Sequence, residues 1–260
     1  MSKHLSSLIP VALVFLCLSV AVTGVLGSSN EIVANPGLTP TIDGVISPGE
    51  WNTADTVTFN QTKVYAMQDS FNLYIAFNVS DFIFSGADSC DILFDVENDK
   101  SSSLQSDDKK LTVRRNDNMM EFKGSAGAWL YVSSPYSGWT AKVNSTSTFW
   151  QVEYNITYSK INVTAGTAKT LGVGFVSYDY DLPIPPIGTT YRWPISSDTD
   201  FDKKPNMWGN MTPNGYNWVP EFSNPLILVI AFTATILILL YAKAHKKLYK
   251  QFSSIHARAV

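Results

Sequence analysis

Alternation with a period of two runs through this chain and limits what it can fold into. In Phe71–Ser80, FNLYIAFNVS, the residues Leu73, Ile75, Phe77 and Val79 fall on one face, and Asn72, Tyr74, Ala76 and Asn78 on the other. Phe149–Tyr158 repeats this, with Trp150, Val152, Tyr154 and Ile156 against Gln151, Glu153 and Asn155. In Ser89–Glu97, Cys90, Ile92, Phe94 and Val96 are expected to point inward, and Asp91, Asp95 and Glu97 outward. Such a period belongs to half-buried strands. Shorter runs at 62–67, 111–115, 128–133, 139–143 and 169–178 have the same character. Gly172 and Gly174 lie opposite Val173 and Phe175, where another backbone can come close. Residues 98–110 read as a polar loop, and Pro183, Pro185 and Pro186 exclude a regular element over 179–188. No amphipathic helix of useful length interrupts the strands. The expected fold is all-β, an antiparallel sandwich of jelly-roll type.

Two apolar stretches flank this region. Leu226–Ala242, LILVIAFTATILILLYA, carries no charge, Gly or Pro. As a helix it spans about 25 Å, enough to cross a bilayer core. Lys243, His245, Lys246, Lys247 and Lys250 follow at once, and basic residues beside a span stay in the cytoplasm. At the other end, Lys3 and His4 precede the apolar Leu8–Val25, and Val25-Leu26-Gly27 offers a cleavage site. The expected organisation is a signal peptide at 1–27, an extracellular β-sandwich at 28–219, a juxtamembrane segment at 220–225, a transmembrane helix at 226–242 and a cytoplasmic basic tail at 243–260. The protein is then a single-pass protein of the cell membrane with its bulk outside. An uncleaved N-terminal anchor is the alternative for the first segment.

Composition narrows the function. A net charge of -3, with basic residues scattered or gathered in the tail, argues against nucleic acid as a partner. Of the two cysteines, Cys17 lies in the first apolar segment and Cys90 stands alone in the domain, which must therefore hold itself by packing. Cys90 reads as a buried apolar filler. The three histidines, His4, His245 and His256, all lie outside the domain, which removes His-based acid–base and most zinc chemistry. No Gly-rich phosphate loop is present, and a non-enzyme is expected. The pattern N-x-S/T occurs at Asn60, Asn78, Asn144, Asn155, Asn162 and Asn210, all in the exported region, as in a glycosylated surface protein.

The order of motifs resembles the family 9 carbohydrate-binding modules and their relatives among DOMON-like sandwiches. The matching residues are Ile42-Asp43-Gly44 with Glu50-Trp51, the segment Asp69–Asp81, the acidic strand Cys90–Asp99, Trp150–Ile156, Leu171–Asp179, Tyr191–Pro194 and Met207–Met211. The resemblance covers roughly residues 38–212. It implies a non-catalytic domain that binds carbohydrate on an aromatic platform, sometimes with structural calcium. Aromatic faces take the C–H faces of pyranose rings, and amides and carboxylates hold the hydroxyls. Trp129, Trp139, Trp193, Trp208 and Trp218 are the candidates for the platform; Trp51 and Trp150 sit at core-like positions. Near Asp69 the chain has Met67 and Gln68 and no Trp, a departure from the family's sugar-clamping Trp pair.

Asp91, Asp95, Glu97 and Asp99, and separately Asp198, Asp200 and Asp202, are oxygen-rich groups that suit calcium, or are solvated strand ends. Two other readings stay open. One is a structural or adhesion domain of a surface-layer-type glycoprotein, its aromatics all in the core. The other is a haem-binding electron-carrier subunit, with Met67, Met119, Met120 or Met207 and Lys123 as ligands. Finally, Val219-Pro220-Glu221-Phe222 before the apolar span resembles the sorting tails of archaeal surface proteins, a plain C-terminal anchor being the simpler alternative.

Overall fold

The computed structural model describes residues 30–181, 187–214 and 218. The expected signal peptide, juxtamembrane segment, transmembrane helix and basic tail lie outside them, as do Pro183, Pro185 and Pro186. Among the described residues no helix is long and apolar enough to cross a membrane.

The described chain is all-β, broken only by short 3-10 turns at Tyr158–Ile161, Phe201–Lys203 and Pro205–Met207. It begins with β1 (Glu31–Pro36). One layer holds β2 (Asp55–Phe59), β3 (Thr62–Gln68), β4 (Asn72–Ser80), β9 (Trp139–Ser145) and β10 (Phe149–Thr157). The other holds β5 (Ser89–Asp95), β6 (Lys109–Arg114), β7 (Met119–Ser125), β8 (Ala128–Val132), β11 (Leu171–Asp181), β12 (Ile187–Trp193) and β13 (Gly209–Pro213). The strand order is β8-β7-β6-β5-β11-β13-β1-β3-β4-β10-β9, with β12 beside β11 and β2 beside β3. Most pairs are antiparallel. The exceptions are both made by β1, which lies parallel to β13 through Glu31–Ala34 and parallel to β3 through Asn35–Pro36. One strand thus ties the two layers together along an edge.

The inward faces are those the alternation indicates. Leu73, Ile75, Phe77 and Val79 from β4 and Trp150, Val152, Tyr154 and Ile156 from β10 meet Cys90, Ile92 and Phe94 from β5 and Val173 and Phe175 from β11 in one buried cluster. Phe77 meets Phe175 edge-on across the layers at 5.7 Å, and the Tyr154 hydroxyl donates to the Cys90 carbonyl at 2.8 Å. Cys90 is buried and free, and burial pushes its thiol well up.

The outward faces depart from expectation. Asp91, Asp95 and Glu153 are buried, not solvated. A further layer of chain lies over each sheet. Residues 37–54 cross β3, β4 and β10, where Trp51, Ile42 and Ile46 cover Met67, Tyr74 and Ala76. On the other sheet, Leu104, Phe201 and Trp208 pack over Leu93 and Val176. Gly172 and Gly174 make this possible: a Cβ on Gly172 would meet that of Asp95 at 2.7 Å, and one on Gly174 would meet Trp208 at 3.2 Å. The stretch 179–188 also differs. Asp179, Tyr180 and Asp181 continue β11 and pair with Thr189, Gly188 and Ile187, so the irregular part is shorter than the prolines suggest.

Candidate functional site

The registers of β5 to β8 and of β11 and β12 bring distant residues into rows on one outer face. The first row is Arg114 (β6), Ser89 (β5), Tyr178 (β11) and Thr190 (β12). Beside it run Met120 (β7), Thr112 (β6), Asp91 (β5), Val176 (β11) and Arg192 (β12). The next row is Tyr131 (β8), Phe122 (β7), Lys110 (β6), Leu93 (β5) and Gly174 (β11). The Leu104–Phe201–Trp208 cluster covers Leu93 and Val176. What stays open is a cleft of about 490 Å³ lined by Ser89, Asp91, Lys110, Thr112, Arg114 and Met120, with Phe122, Tyr178 and Tyr180 as its rings and Ser85 and Ala87 of the β4–β5 loop at one end.

Its chemistry is mixed. Tyr178 and Tyr180 stack at 6.3 Å with 19° between their planes. The Lys110 ammonium sits 4.8 Å from the Phe122 ring centre and 5.2 Å from that of Trp129, and 3.8 Å from an Asp202 carboxylate oxygen. Asp91 forms part of the floor. Burial pushes its carboxyl up to about 6, while Lys110 pulls the other way. Asp91 Oδ1 and Thr112 Oγ1 are buried with no partner inside ordinary hydrogen-bond distance among the described residues, though the Thr112 hydroxyl is near enough to pull the Asp91 carboxyl down. Buried polar atoms are rarely left so, and these two line an open cleft. The Arg114 guanidinium, half-buried in the same wall, makes no ion pair or side-chain hydrogen bond among the described residues. Aromatic rings beside buried polar atoms with spare hydrogen-bonding capacity suit a polar ligand that also has an apolar face.

The five expected tryptophans do not form one platform. Trp139, Trp193 and Trp218 are in the main core. The Trp139 indole N–H donates to Glu121 and that of Trp218 to the Lys169 carbonyl, while Trp193 stacks on Phe175 at 5.4 Å. Trp208 is buried, donates to the Phe201 carbonyl and stacks on the half-buried Trp129 at 6.4 Å with 2° between planes. Only this pair borders the cleft, through Lys110. Of the rings that line it, Phe122 lies in β7, whose pattern Gly124 interrupts, and Tyr180 in the supposed irregular stretch, while Tyr178 lies in a recognised strand run but joins the others only through register.

The acidic residues expected to bind calcium are also dispersed. Asp91 is in the cleft. Asp198, Asp200 and Asp202 each pair with a lysine: Lys204, Lys203 and Lys110. Glu97 accepts from Lys169 and Asn162, and Asp99 accepts from Gln105 and the Ser101 N–H. Asp95 alone of these joins a group that could hold a metal, with Asp107 and Asp108, their oxygens within 4.8 Å of one another. No cation lies within ion-pair distance of the three among the described residues. Burial pushes the Asp108 carboxyl up to about 7 and that of Asp95 upward, and repulsion from Asp107 and Asp99 adds to both. An all-oxygen group of this kind fits a hard divalent cation. A second trio, Asp81, Asp88 and Asp179, already has its cation: Arg115 Nη1 is 2.7 Å from Asp81 and 3.2 Å from Asp88.

The acceptor asparagines vary in exposure. Asn60 and Asn162 are exposed, whereas Asn78, Asn144, Asn155 and Asn210 are half-buried. The Ile42-Asp43-Gly44…Trp51 motif has a structural place. The N–H groups of Asp43 and Gly44 donate to Glu153 Oε2 at 3.0 and 2.9 Å, and the Trp51 indole donates to Oε1 at 2.9 Å.

No protein-family model matches the chain. A stretch of 120 residues is 30% identical to endo-1,4-beta-xylanase A of Thermoanaerobacterium saccharolyticum; it makes up 45% of this chain and 10% of that enzyme. The chain therefore spans about a tenth of that relative's length. Among solved structures, a family 9 carbohydrate-binding module from Caldicellulosiruptor kristjanssonii in complex with cellotriose aligns with a TM-score of 0.57 at 22% identity, over 71% of this chain and 94% of that one. The same module in complex with glucose gives 0.57 and 22%, over 71% and 96%. The chain shares the family 9 module fold, as its motifs imply.

Proposed function

We propose that the protein is a non-catalytic carbohydrate-binding module and that the cleft across β5, β6, β7 and β11 is its ligand site. The observation that carries this reading is the buried Asp91–Thr112 pair, whose Oδ1 and Oγ1 keep hydrogen-bonding capacity, set among Phe122, Tyr178 and Tyr180. A pyranose ring laid on Phe122 or Tyr178 brings its hydroxyls to Asp91 and Thr112, where they complete the missing hydrogen bonds. The shared fold supports the reading, since modules of that fold hold cellotriose and glucose. The tryptophans, except Trp129 and Trp208 at the cleft edge, then serve the core.

Around this site we place an exported domain at 28–219, a cleaved signal peptide at 1–27, a membrane span at 226–242 and a cytoplasmic tail at 243–260. The uninterrupted apolar run and the lysines after it support this placement. N-glycans on the acceptor asparagines, foremost the exposed Asn60 and Asn162, suit a surface location. Calcium is assigned to Asp95, Asp107 and Asp108, where it would neutralise three crowded carboxylates and fix the 98–108 loop.

The test is a glycan array read with the full-length protein, followed by titration with cellotriose, glucose and xylan fragments. Binding that free sugar competes away, and that Phe122→Ala or Tyr178→Ala reduces at least about tenfold, is the expected result. Folded protein that binds no glycan overturns the reading and favours a structural surface domain.

A further inference from the structure

We infer that the saccharide this cleft selects is acidic, carrying a carboxylate that lies against Arg114. The inference rests on the carbohydrate reading of the same cleft and deepens it. Arg114 is half-buried in the wall, one row from Asp91, and its guanidinium finds no acceptor among the described residues. A guanidinium has five donors in a fixed planar fork, and its natural complement is a carboxylate held by two parallel hydrogen bonds. A neutral hydroxyl satisfies the fork poorly.

The charges around the cleft agree. Lys110 and Arg192 stand on the same outer face as Arg114, in the rows on either side of or level with Asp91. Three carboxylates face these cations; Asp198 is paired with Lys204 and lies within reach of the Arg192 charge. Asp202 lies 3.8 Å from Lys110 and so offsets that ammonium. Asp91 is on the buried floor and makes no ion pair, although the Lys110 and Arg114 charges reach it and partly offset its burial, and its Oδ1 is left as an acceptor for sugar hydroxyls. Cations on the wall and one acceptor on the floor together distinguish the two sides of a uronic acid residue. Its ring lies on Phe122 or Tyr178, its hydroxyls face Asp91 and Thr112, and its carboxylate turns to Arg114. A purely neutral glucan leaves the fork unmatched.

The experiment uses full-length protein and a panel of uronic-acid oligosaccharides, each paired with its carboxyl-reduced, neutral counterpart, together with cellotriose. The expected result is that at least one acidic member binds about tenfold or more tighter than its reduced counterpart. Added salt should narrow that gap, and Arg114→Gln should remove it. Lys142→Gln, an exposed cation paired with Asp117 on the other sheet, should keep it. Equal binding of each acidic and reduced pair, or a preference for cellotriose that Arg114→Gln does not change, overturns the inference and leaves the carbohydrate reading standing. No binding of any acidic or neutral member overturns both.

Discussion

Single residues on the outer faces determine more of this molecule than their polarity suggests. Glu153 reads in sequence as a solvent-facing strand residue, yet it is 0% exposed and accepts from Asp43, Gly44 and Trp51. Period two assigns a residue to a face and is silent on what covers that face. The cover here comes from a segment about a hundred positions earlier in the chain, so no local pattern reports it. Glu153→Ala should leave the buried Gly44 N–H and Trp51 indole, and the part-buried Asp43 N–H, without an acceptor and cost about 3 kcal/mol, read as a lower urea midpoint by Trp fluorescence. Gly44→Ala should be similarly damaging, because φ is +86° and a Cβ would stand 2.5 Å from the Val143 carbonyl carbon. Unchanged midpoints would mean that the 37–54 segment is not held through Glu153. Asp91 yields a pH dependence. Its folded value of about 6 lies above the unfolded value of about 3.9, so the native state holds the proton more tightly. Its contribution to stability is fully present below about pH 4 and is lost as pH rises through about 6, a fall of about 2–3 kcal/mol. Asp91→Asn should flatten that part of the curve. Parallel wild-type and variant curves from pH 4 to 7 would contradict it.

At the scale of elements, the alternating strands β4, β5, β10 and β11 and the shorter β3, β6, β8 and β9 were legible, whereas β1, β2, β7, β12 and β13 were not. β7 carries Gly124, β13 is Gly-Asn-Met-Thr-Pro, and β1 pairs parallel on both sides, which no local signal encodes. The cleft escaped for a related reason. Its lining comes from alternate positions of β5, β6, β7 and β11, strands up to ninety positions apart that only register brings together. The 96–108 loop is the element on which both the acidic trio and the cleft border depend. It is latched at Gly124, where a Cβ would fall 2.0 Å from the Gln105 carbonyl oxygen. Gly124 also donates its N–H to the Asp108 carbonyl at 2.9 Å. With calcium held by Asp95, Asp107 and Asp108, a free concentration about a hundred times its Kd should raise stability by about 2.7 kcal/mol. Chelation should remove that gain. Asp108→Asn should abolish the response, and Gly124→Ala should weaken it by displacing the loop. A thermal midpoint indifferent to calcium and chelator in the wild type would take calcium out of the account.

For the whole molecule, the geometry of the two ends decides how the cleft is presented. Trp218, the last described residue, is bonded to Thr167, Gly166 and Lys169 just before β11 begins. Tyr178 and Tyr180 line the cleft near the other end of β11. Nine to eleven strand residues separate these positions, about 30 Å at the usual rise. If the chain enters the bilayer after 225, the cleft and the β4–β5 loop lie at the end of the sandwich remote from Trp218, as the proposed glycan-binding role would require. That placement can be checked with single cysteines, because Cys90 is buried and cleavage of the proposed signal peptide would remove Cys17. Ala87→Cys, exposed at the end of the cleft, should react with a membrane-impermeant maleimide on intact cells. Ser253→Cys, in the basic tail, should react only after permeabilisation. The opposite pattern would invert the topology. Labelling of both sites in intact cells would leave the 226–242 run without a spanning role, whereas protection of Ala87→Cys by the bound saccharide would tie the outward end of the sandwich to the ligand site.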